Sequence, residues 1–207
     1  MNKREFFTPA AIMLLMVVSL VGECRSQAVE SPDVTVLVLY HSSTGNTEKM
    51  AQGVAEGAKA VSGTSVVLKR VGEVIRDDLL SADAVIVGSP VYVGSISGQV
   101  KTFLDNWGPK FGLEATFRNM RNKVGAAFAT GGSVSNGKEI TMLTILGAML
   151  GSGMIVISAG DRFGRFGASA TTGATSPGID EKELADAREL GKRVVEVTSV
   201  IRRGSTK

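Results

Sequence analysis

The sequence predicts an α/β fold: a doubly wound parallel sheet of five strands between two layers of helices. Three observations lead there. Five short runs rich in Val, Ile, Leu and Ala recur along the chain. Segments of helical length separate them. Clusters of Gly, Ser and Thr follow the first and fourth runs, and a Ser-Pro…Gly-Ser turn follows the third. Strands joined by helices imply crossovers of one hand and a sheet covered on both faces. In such a sheet, ligands bind beyond the carboxyl ends of the strands, where the strand order reverses.

Val34–Tyr40 is a nearly continuous apolar run, the pattern of a strand buried on both faces. Asn46–Ala60 places Met50, Val54 and Ala58 on one helical face, with Gly53 and Gly57 as weak points. Ser65–Val71 reads as the second strand and Asp83–Gly88 as the third. Ile96–Trp107 fits a helix with Val100, Phe103 and Leu104 inward. Val124–Ala129 is the fourth strand, Lys138–Leu150 a helix and Met154–Ser158 the fifth strand. Asp180–Ile201 closes the fold, with Leu184, Ala187, Val194 and Val197 on one side. Asp161–Gly178 is rich in Gly, Ser and Thr and long for a loop, the mark of a mobile or a functional segment.

The N-terminus reads differently. Lys3-Arg4 gives a positive start, Ala10–Val21 is apolar apart from Ser19, and Ser26-Gln27-Ala28 offers small residues at −3 and −1 of a cleavage site. That is the pattern of a secretory signal peptide over residues 1–28, so the product is expected to be exported, periplasmic or extracellular. An uncleaved anchor is the alternative, but the run is short for a span. Lys3-Arg4-Glu5-Phe6-Phe7 also resembles a twin-arginine signal, and Glu23 is a poor fit to a lipoprotein signal at Cys24. Loss of Lys3, Arg4, Arg25, Glu5 and Glu23 would take the 23 basic and 20 acidic residues to 20 and 18. It would also remove the single cysteine and with it any thiol chemistry. One His and one Cys argue against a zinc site, and the near-neutral charge without a basic stripe argues against nucleic acid.

Three strand ends carry the chemistry. After the first strand come Ser42, Ser43, Thr44, Gly45, Asn46 and Thr47. One or two such residues would cap a turn. Six in a row at the start of a helix suggest a cradle for a phosphate, built from backbone amides and hydroxyls. There is no Gly-Lys-Ser/Thr ending and no G-x-G-x-x-G, so neither an ATP loop nor a dinucleotide fingerprint is indicated. After the third strand, Pro90, Val91, Tyr92, Val93 and Gly94 put an aromatic among apolar neighbours. Tyr92 either lies against a flat ring or packs on the surface. After the fourth strand, Thr130, Gly131, Gly132 and Ser133 let a planar group approach the backbone. His41 stands beside the first loop, as a proton carrier or as a wall.

These segments resemble the flavodoxin superfamily, and most closely its NAD(P)H:quinone oxidoreductases of the tryptophan-repressor-binding-protein type. Ser42–Thr47 is similar to the family's FMN phosphate loop, 88–94 to its second flavin loop with Gln99–Asp105 as the helix behind it, and Phe128–Gly132 to its third. The likeness continues through Gly153–Ile157 and the Gly-Ala-Thr-Ser-Pro-Gly of 173–178. It implies a flavodoxin-like domain over 29–207 with strand order 2-1-3-4-5, and FMN as the cofactor held by the three loops. It further implies electron or hydride transfer from NAD(P)H to a quinone or another acceptor, no side chain as catalyst, and a homo-oligomer, dimer or tetramer. Carriers of the superfamily without a substrate usually present a strongly acidic face, which the charge here does not supply. A module of this fold without catalysis is the remaining reading. Three departures stand out. The link at 72–82 is short, Ser152 occupies the position of a flavin-side His, and Phe111 is nearest to the position of an aromatic that covers the ring from a neighbouring subunit. Arg162 and Arg165, flanking Phe163, are candidate contacts for a dinucleotide phosphate or a quinone, or plain solvated charges.

Overall fold

The computed structural model describes residues 34–113, 119–159, 166–173 and 178–205. The proposed leader at 1–28, and Arg162, Phe163 and Arg165, lie outside the described residues. All described residues belong to one compact unit, Pro32–Lys207.

The centre is β1 (Val34–Tyr40), flanked by β2 (Thr64–Arg70) and β3 (Ala84–Tyr92), both parallel to it. Beyond β3 lies β5 (Val124–Gly131), again parallel. A two-residue strand, β4 (Ser95–Ile96), folds back antiparallel on the end of β3. The outer position is shared by β6 (Ile155–Val156), beside the start of β5, and β7 (Ala168–Thr171), beside its end. The path β2-β1-β3-β5-β6 is the expected 2-1-3-4-5 order once the hairpin strand β4 is set aside. The fifth strand therefore differs from the continuous Met154–Ser158 run: the chain leaves the edge after Val156 and returns at Ala168.

Alternation along β1 explains why its sequence is apolar at every position but Thr35. Val34, Val36, Val38 and Tyr40 face one core with α1 (Asn46–Lys59) and α5 (Glu181–Ser205). Leu37 and Leu39 face the other, with α2 (Arg76–Ser81), α3 (Gly98–Asp105) and α4 (Lys138–Gly151). Buried on both sides, the strand has no polar face to show. Gly57, a weak point by propensity, is a packing requirement instead. A Cβ there would come 1.8 Å from the Arg188 carbonyl of α5.

Two boundaries moved for identifiable reasons. α3 begins at Gly98 rather than Ile96 because Ser97 caps it, its Oγ accepting from Val100 N (3.3 Å), a contact typically worth about 1 kcal/mol. The third strand runs four residues past Gly88, because Pro90 still registers with Thr130 and Tyr92 with Ser95. The six-residue α2 is too short for periodicity to reveal. It is set by Asp78, whose carboxylate accepts from Ile75 N (2.9 Å) and pairs with Lys69 (2.7 Å).

Candidate functional site

The carboxyl ends of β1, β3 and β5 meet at one edge of the sheet. α1 starts directly after β1, and its N-cap, Gly45, is left-handed (φ 88°), with no side-chain cap on the helix. A side chain rarely adopts that φ, and a Cβ would meet nothing within 4 Å, so backbone conformation alone selects glycine here. Ser42 Oγ accepts from Gly45 N (3.1 Å), which closes the turn. Thr47 and Glu48 are in the first turn, where backbone N–H groups have no acceptor within a helix. Those donors and the helix dipole suit a dianion.

Charge near this turn is already balanced. Glu48 accepts from Tyr40 Oη (2.8 Å) and pairs with Arg70 (2.6 Å), whose other guanidinium nitrogen donates to the Ser42 carbonyl (2.9 Å). Burial, then the Glu48 carboxylate, push the Tyr40 phenol up to about 12. Burial, then the Arg70 charge, hold the His41 imidazole below its usual value, so the ring is neutral at pH 7.

The second loop is a tight hairpin rather than an open loop. Val93 (φ 50°) and Gly94 (φ 77°) form its tip between paired Tyr92 and Ser95. A β-branched residue at positive φ is an outlier, and Val93 is fully exposed. Such strain is more often found at ligand sites than elsewhere. Buried Ser89 anchors the base, its Oγ accepting from Ser97 N (2.9 Å). Tyr92 is 41% exposed, and its hydroxyl lies 2.8 Å from Ser43 Oγ, which bridges the second loop to the first.

The third loop joins the first through the buried pair Thr47 Oγ1–Thr130 Oγ1 (2.8 Å). It is held from behind by Asn136 once its side-chain amide is turned over, so that the oxygen accepts from Gly132 N (3.0 Å) and the nitrogen donates to the Ser133 carbonyl (3.2 Å). Buried Lys138 reinforces it, its ammonium donating to the carbonyls of Ser133 (2.8 Å) and Val134 (3.2 Å) and to Thr171 Oγ1 (2.8 Å).

Ser43, Thr44, Asn46, Thr47, Pro90, Val91, Tyr92, Thr130, Gly131 and Gly132 line one cleft of about 120 Å³. Of the sequence candidates, Ser42, Gly45, Val93, Gly94 and Ser133 do not line it; they shape the turns that do. Thr172 lines the cleft too, its N–H held by the Gly131 carbonyl (2.8 Å). Sequence reasoning missed it, along with Asn136 and Lys138; only the Gly/Ser/Thr-rich character of 161–178 pointed toward Thr172. Gly178, at the end of that segment, donates to Asn46 Oδ1 (3.1 Å).

Two other positions fall elsewhere. Ser152 ends α4, its Oγ donating to the Ala148 carbonyl (2.9 Å), just before β6 pairs with the start of β5. It lies at the edge of the sheet opposite the cleft. Phe111 is buried in its own chain, its ring 6.0 Å from that of Phe103. Among the described residues no group of His, Cys, Asp and Glu could hold a metal ion.

The chain is similar to known proteins. A family model described as NADPH-dependent FMN reductase matches residues 70–164. A flavodoxin of Aquifex aeolicus is 35% identical over 170 residues, 80% of this chain and 87% of the relative. An NAD(P)H dehydrogenase (quinone) of Archaeoglobus fulgidus is 35% identical over 188 residues, 78% of this chain and 96% of the relative. The crystal structure of a flavodoxin, WrbA-like protein from Agrobacterium tumefaciens superposes with a TM-score of 0.65 at 28% identity, covering 80% of this chain and 97% of that one. With the strand order, the three converging loops and these relatives together, the chain belongs to the flavodoxin superfamily, in its tryptophan-repressor-binding-protein (WrbA) branch.

Proposed function

We propose that the protein is an FMN-dependent NAD(P)H:quinone oxidoreductase. The observation that carries this reading is the convergence of three strand ends on one cleft whose donors are neutral amides and hydroxyls at an uncapped helix N-terminus. That donor set fits the phosphate of FMN, and relatives named as quinone-directed NAD(P)H dehydrogenases support the reaction. Bound FMN would supply the hydride and electron transfer between a nicotinamide and a quinone. The chain's own task is placement. Thr44, Asn46 and Thr47 would hold the phosphate end of FMN. The Pro90–Gly94 hairpin and the Thr130–Ser133 turn would flank its ring, with Tyr92 toward the edge. Glu48, bound by Arg70 and Tyr40, leaves its carboxylate compensated beside the phosphate cradle.

A homo-oligomer belongs to the same reading. α4 exposes Ile140, Leu143 and Leu150, a side that a second copy would cover. Mixing purified protein with NADPH and a quinone is expected to give NADPH oxidation that requires both FMN and the quinone. Flavin that is reduced only by a separate reductase protein would make the chain an electron carrier, and protein that never binds flavin would make it a bare module.

Export is part of the proposal, on the residues 1–28 pattern. N-terminal sequencing of protein from its native host is expected to begin at Val29. A chain that starts at Met1 in the soluble cytoplasmic fraction would overturn it.

A further inference from the structure

Two cavities meet at the end of β1. One is the cleft at the three strand ends. The other measures about 660 Å³ and opens on the α3 side, where Arg70, Glu73, Phe103 and Lys110 are among its walls. His41 lines this larger cavity and not the cleft, while Ser43 and Tyr92 line the cleft and not the cavity.

These three side chains are joined in a row. His41 Nε2 lies 3.3 Å from Ser43 Oγ, and Ser43 Oγ lies 2.8 Å from Tyr92 Oη. The His41 and Tyr92 rings meet edge to face, with centroids 6.2 Å apart. A hydroxyl, a phenol and a neutral imidazole can each both donate and accept. Backbone structure fixes the row. His41 N donates to the Gly88 carbonyl (3.2 Å), and Tyr92 pairs with Ser95 in the hairpin. Ser42, next to Ser43, is held by Gly45 N on its hydroxyl and by Arg70 on its carbonyl.

The charges around His41 leave it a carrier rather than a store of protons. Burial and the Arg70 charge keep its imidazole neutral at pH 7. Glu73 and Lys110 stand on the cavity walls. Glu48 is bound to Arg70 and Tyr40, and the Tyr40 phenol, pushed up to about 12, keeps its proton. A neutral ring takes a proton at one nitrogen and releases one from the other.

The geometry points to a proton relay, His41 Nε2–Ser43 Oγ–Tyr92 Oη, that carries a solvent proton from the larger cavity into the cofactor cleft. It rests on the oxidoreductase reading, which supplies the demand: reduction of a quinone by NAD(P)H consumes one hydride and one proton. In one passage His41 Nδ1 takes a proton from solvent, and the Nε2 proton passes to Ser43 Oγ. The Ser43 proton passes to Tyr92 Oη, and the Tyr92 proton to the substrate oxygen. Every N–H or O–H bond broken is matched by one formed, and the electron pair arrives with the hydride. The ring regains its Nε2 proton by exchange with water. A ligand in the cleft would displace water from Tyr92 on that side, whereas His41 has a cavity of its own.

The test compares two acceptors in stopped flow. The FMN-loaded full chain, reduced beforehand with NADPH, is reoxidised by 1,4-benzoquinone, which takes up protons with its electrons, or by ferricyanide, which takes electrons alone. The quinone-to-ferricyanide rate ratio is expected to fall at least about tenfold in His41→Ala, Ser43→Ala and Tyr92→Phe. A ratio taken within each variant cancels any change in FMN binding. Imidazole in solution is expected to restore the ratio in His41→Ala. A second readout needs no flavin. His41 is the only histidine, so its ring nitrogens are resolved by NMR. In flavin-free wild type at pH 7 they are expected to report a neutral ring with its proton on Nε2, and Ser43→Ala is expected to move the Nε2 signal more than that of Nδ1. An active wild type with unchanged ratios in the variants, a charged ring at pH 7, or an Nε2 signal that ignores Ser43→Ala would each overturn the relay alone. A wild type that takes no electrons from NADPH would overturn the oxidoreductase reading and the relay together.

Discussion

Gly137→Val is expected to give a folded protein that purifies without flavin, its FMN affinity down by on the order of a hundredfold or more. Gly137 caps α4 in the left-handed region (φ 99°), where a β-branched side chain is strained by roughly 1–3 kcal/mol. The larger effect is steric. A Cβ would lie 2.3 Å from the Gly94 carbonyl, which is backbone and cannot rotate away. Gly94 is at the tip of the second-loop hairpin, and Gly137 follows the Asn136 that ties down the third. One methyl-bearing carbon therefore drives apart the two turns proposed to flank the ring. The core layers are far from this contact, so circular dichroism is expected to stay near native. Gly94→Ala tests the φ requirement without the clash, since a Cβ there meets nothing within 4 Å, and a loss nearer tenfold is expected. Gly204→Ala, in open space near the end of α5, is expected to change nothing. Flavin absorbance of the purified variants and FMN titration measure all three. Wild-type affinity in Gly137→Val would mean that the two turns do not position the cofactor.

The layers and strand order were legible because burial on both faces writes itself into composition. Val34–Tyr40, apart from Thr35, and Ala84–Val87 could not be so uniformly apolar in a sheet with a wet face. The cleft was legible at the positions where chemistry demands particular residue types, such as Gly45 at positive φ and Thr47 and Thr130 in contact. What stayed hidden were features fixed by distant partners. Lys138 reads as an ordinary charged helix start, yet it is buried because three acceptors on two segments enclose its ammonium. Thr172 reaches the cleft only because β7 re-enters the sheet beside β5, a pairing that four residues of sequence cannot announce. The division of the edge strand is likewise a tertiary event. Gly57 shows the reverse error. Propensity marks it as a defect, while the crossing of α1 and α5 requires it.

FMN is expected to bind on the order of a thousandfold or more tightly than riboflavin, which lacks only the phosphate. A hydrogen bond to a charged group contributes roughly 1.5–3 kcal/mol, and three such bonds reach that ratio even at the lower end. The loop can supply them from the first-turn amides and the Thr44 and Thr47 hydroxyls. Because no Lys or Arg stands in Ser42–Thr47, and Arg70 is already bound to Glu48, the preference should vary little with salt. The variants separate the contributions. Thr44 is exposed, with its Oγ1 accepting from Asn46 Nδ2 (3.2 Å), so Thr44→Ala removes one donor and should cost about tenfold. Thr47 is buried against Thr130, so Thr47→Ala also cuts the tie between the first and third loops and should cost up to about a hundredfold. Gly45→Val should do at least as much harm, through φ rather than through a clash, because its Cβ meets nothing within 4 Å. The Thr44→Ala and Gly45→Val losses should be large for FMN and small for riboflavin, since they act on the phosphate end, whereas Thr47→Ala should weaken riboflavin as well, since it also frees the third loop. Titration of flavin-free protein with both ligands gives the comparison directly. Losses of equal size for the two flavins would place the damage in the ring site, and equal affinity of wild type for both would reduce the loop to a turn.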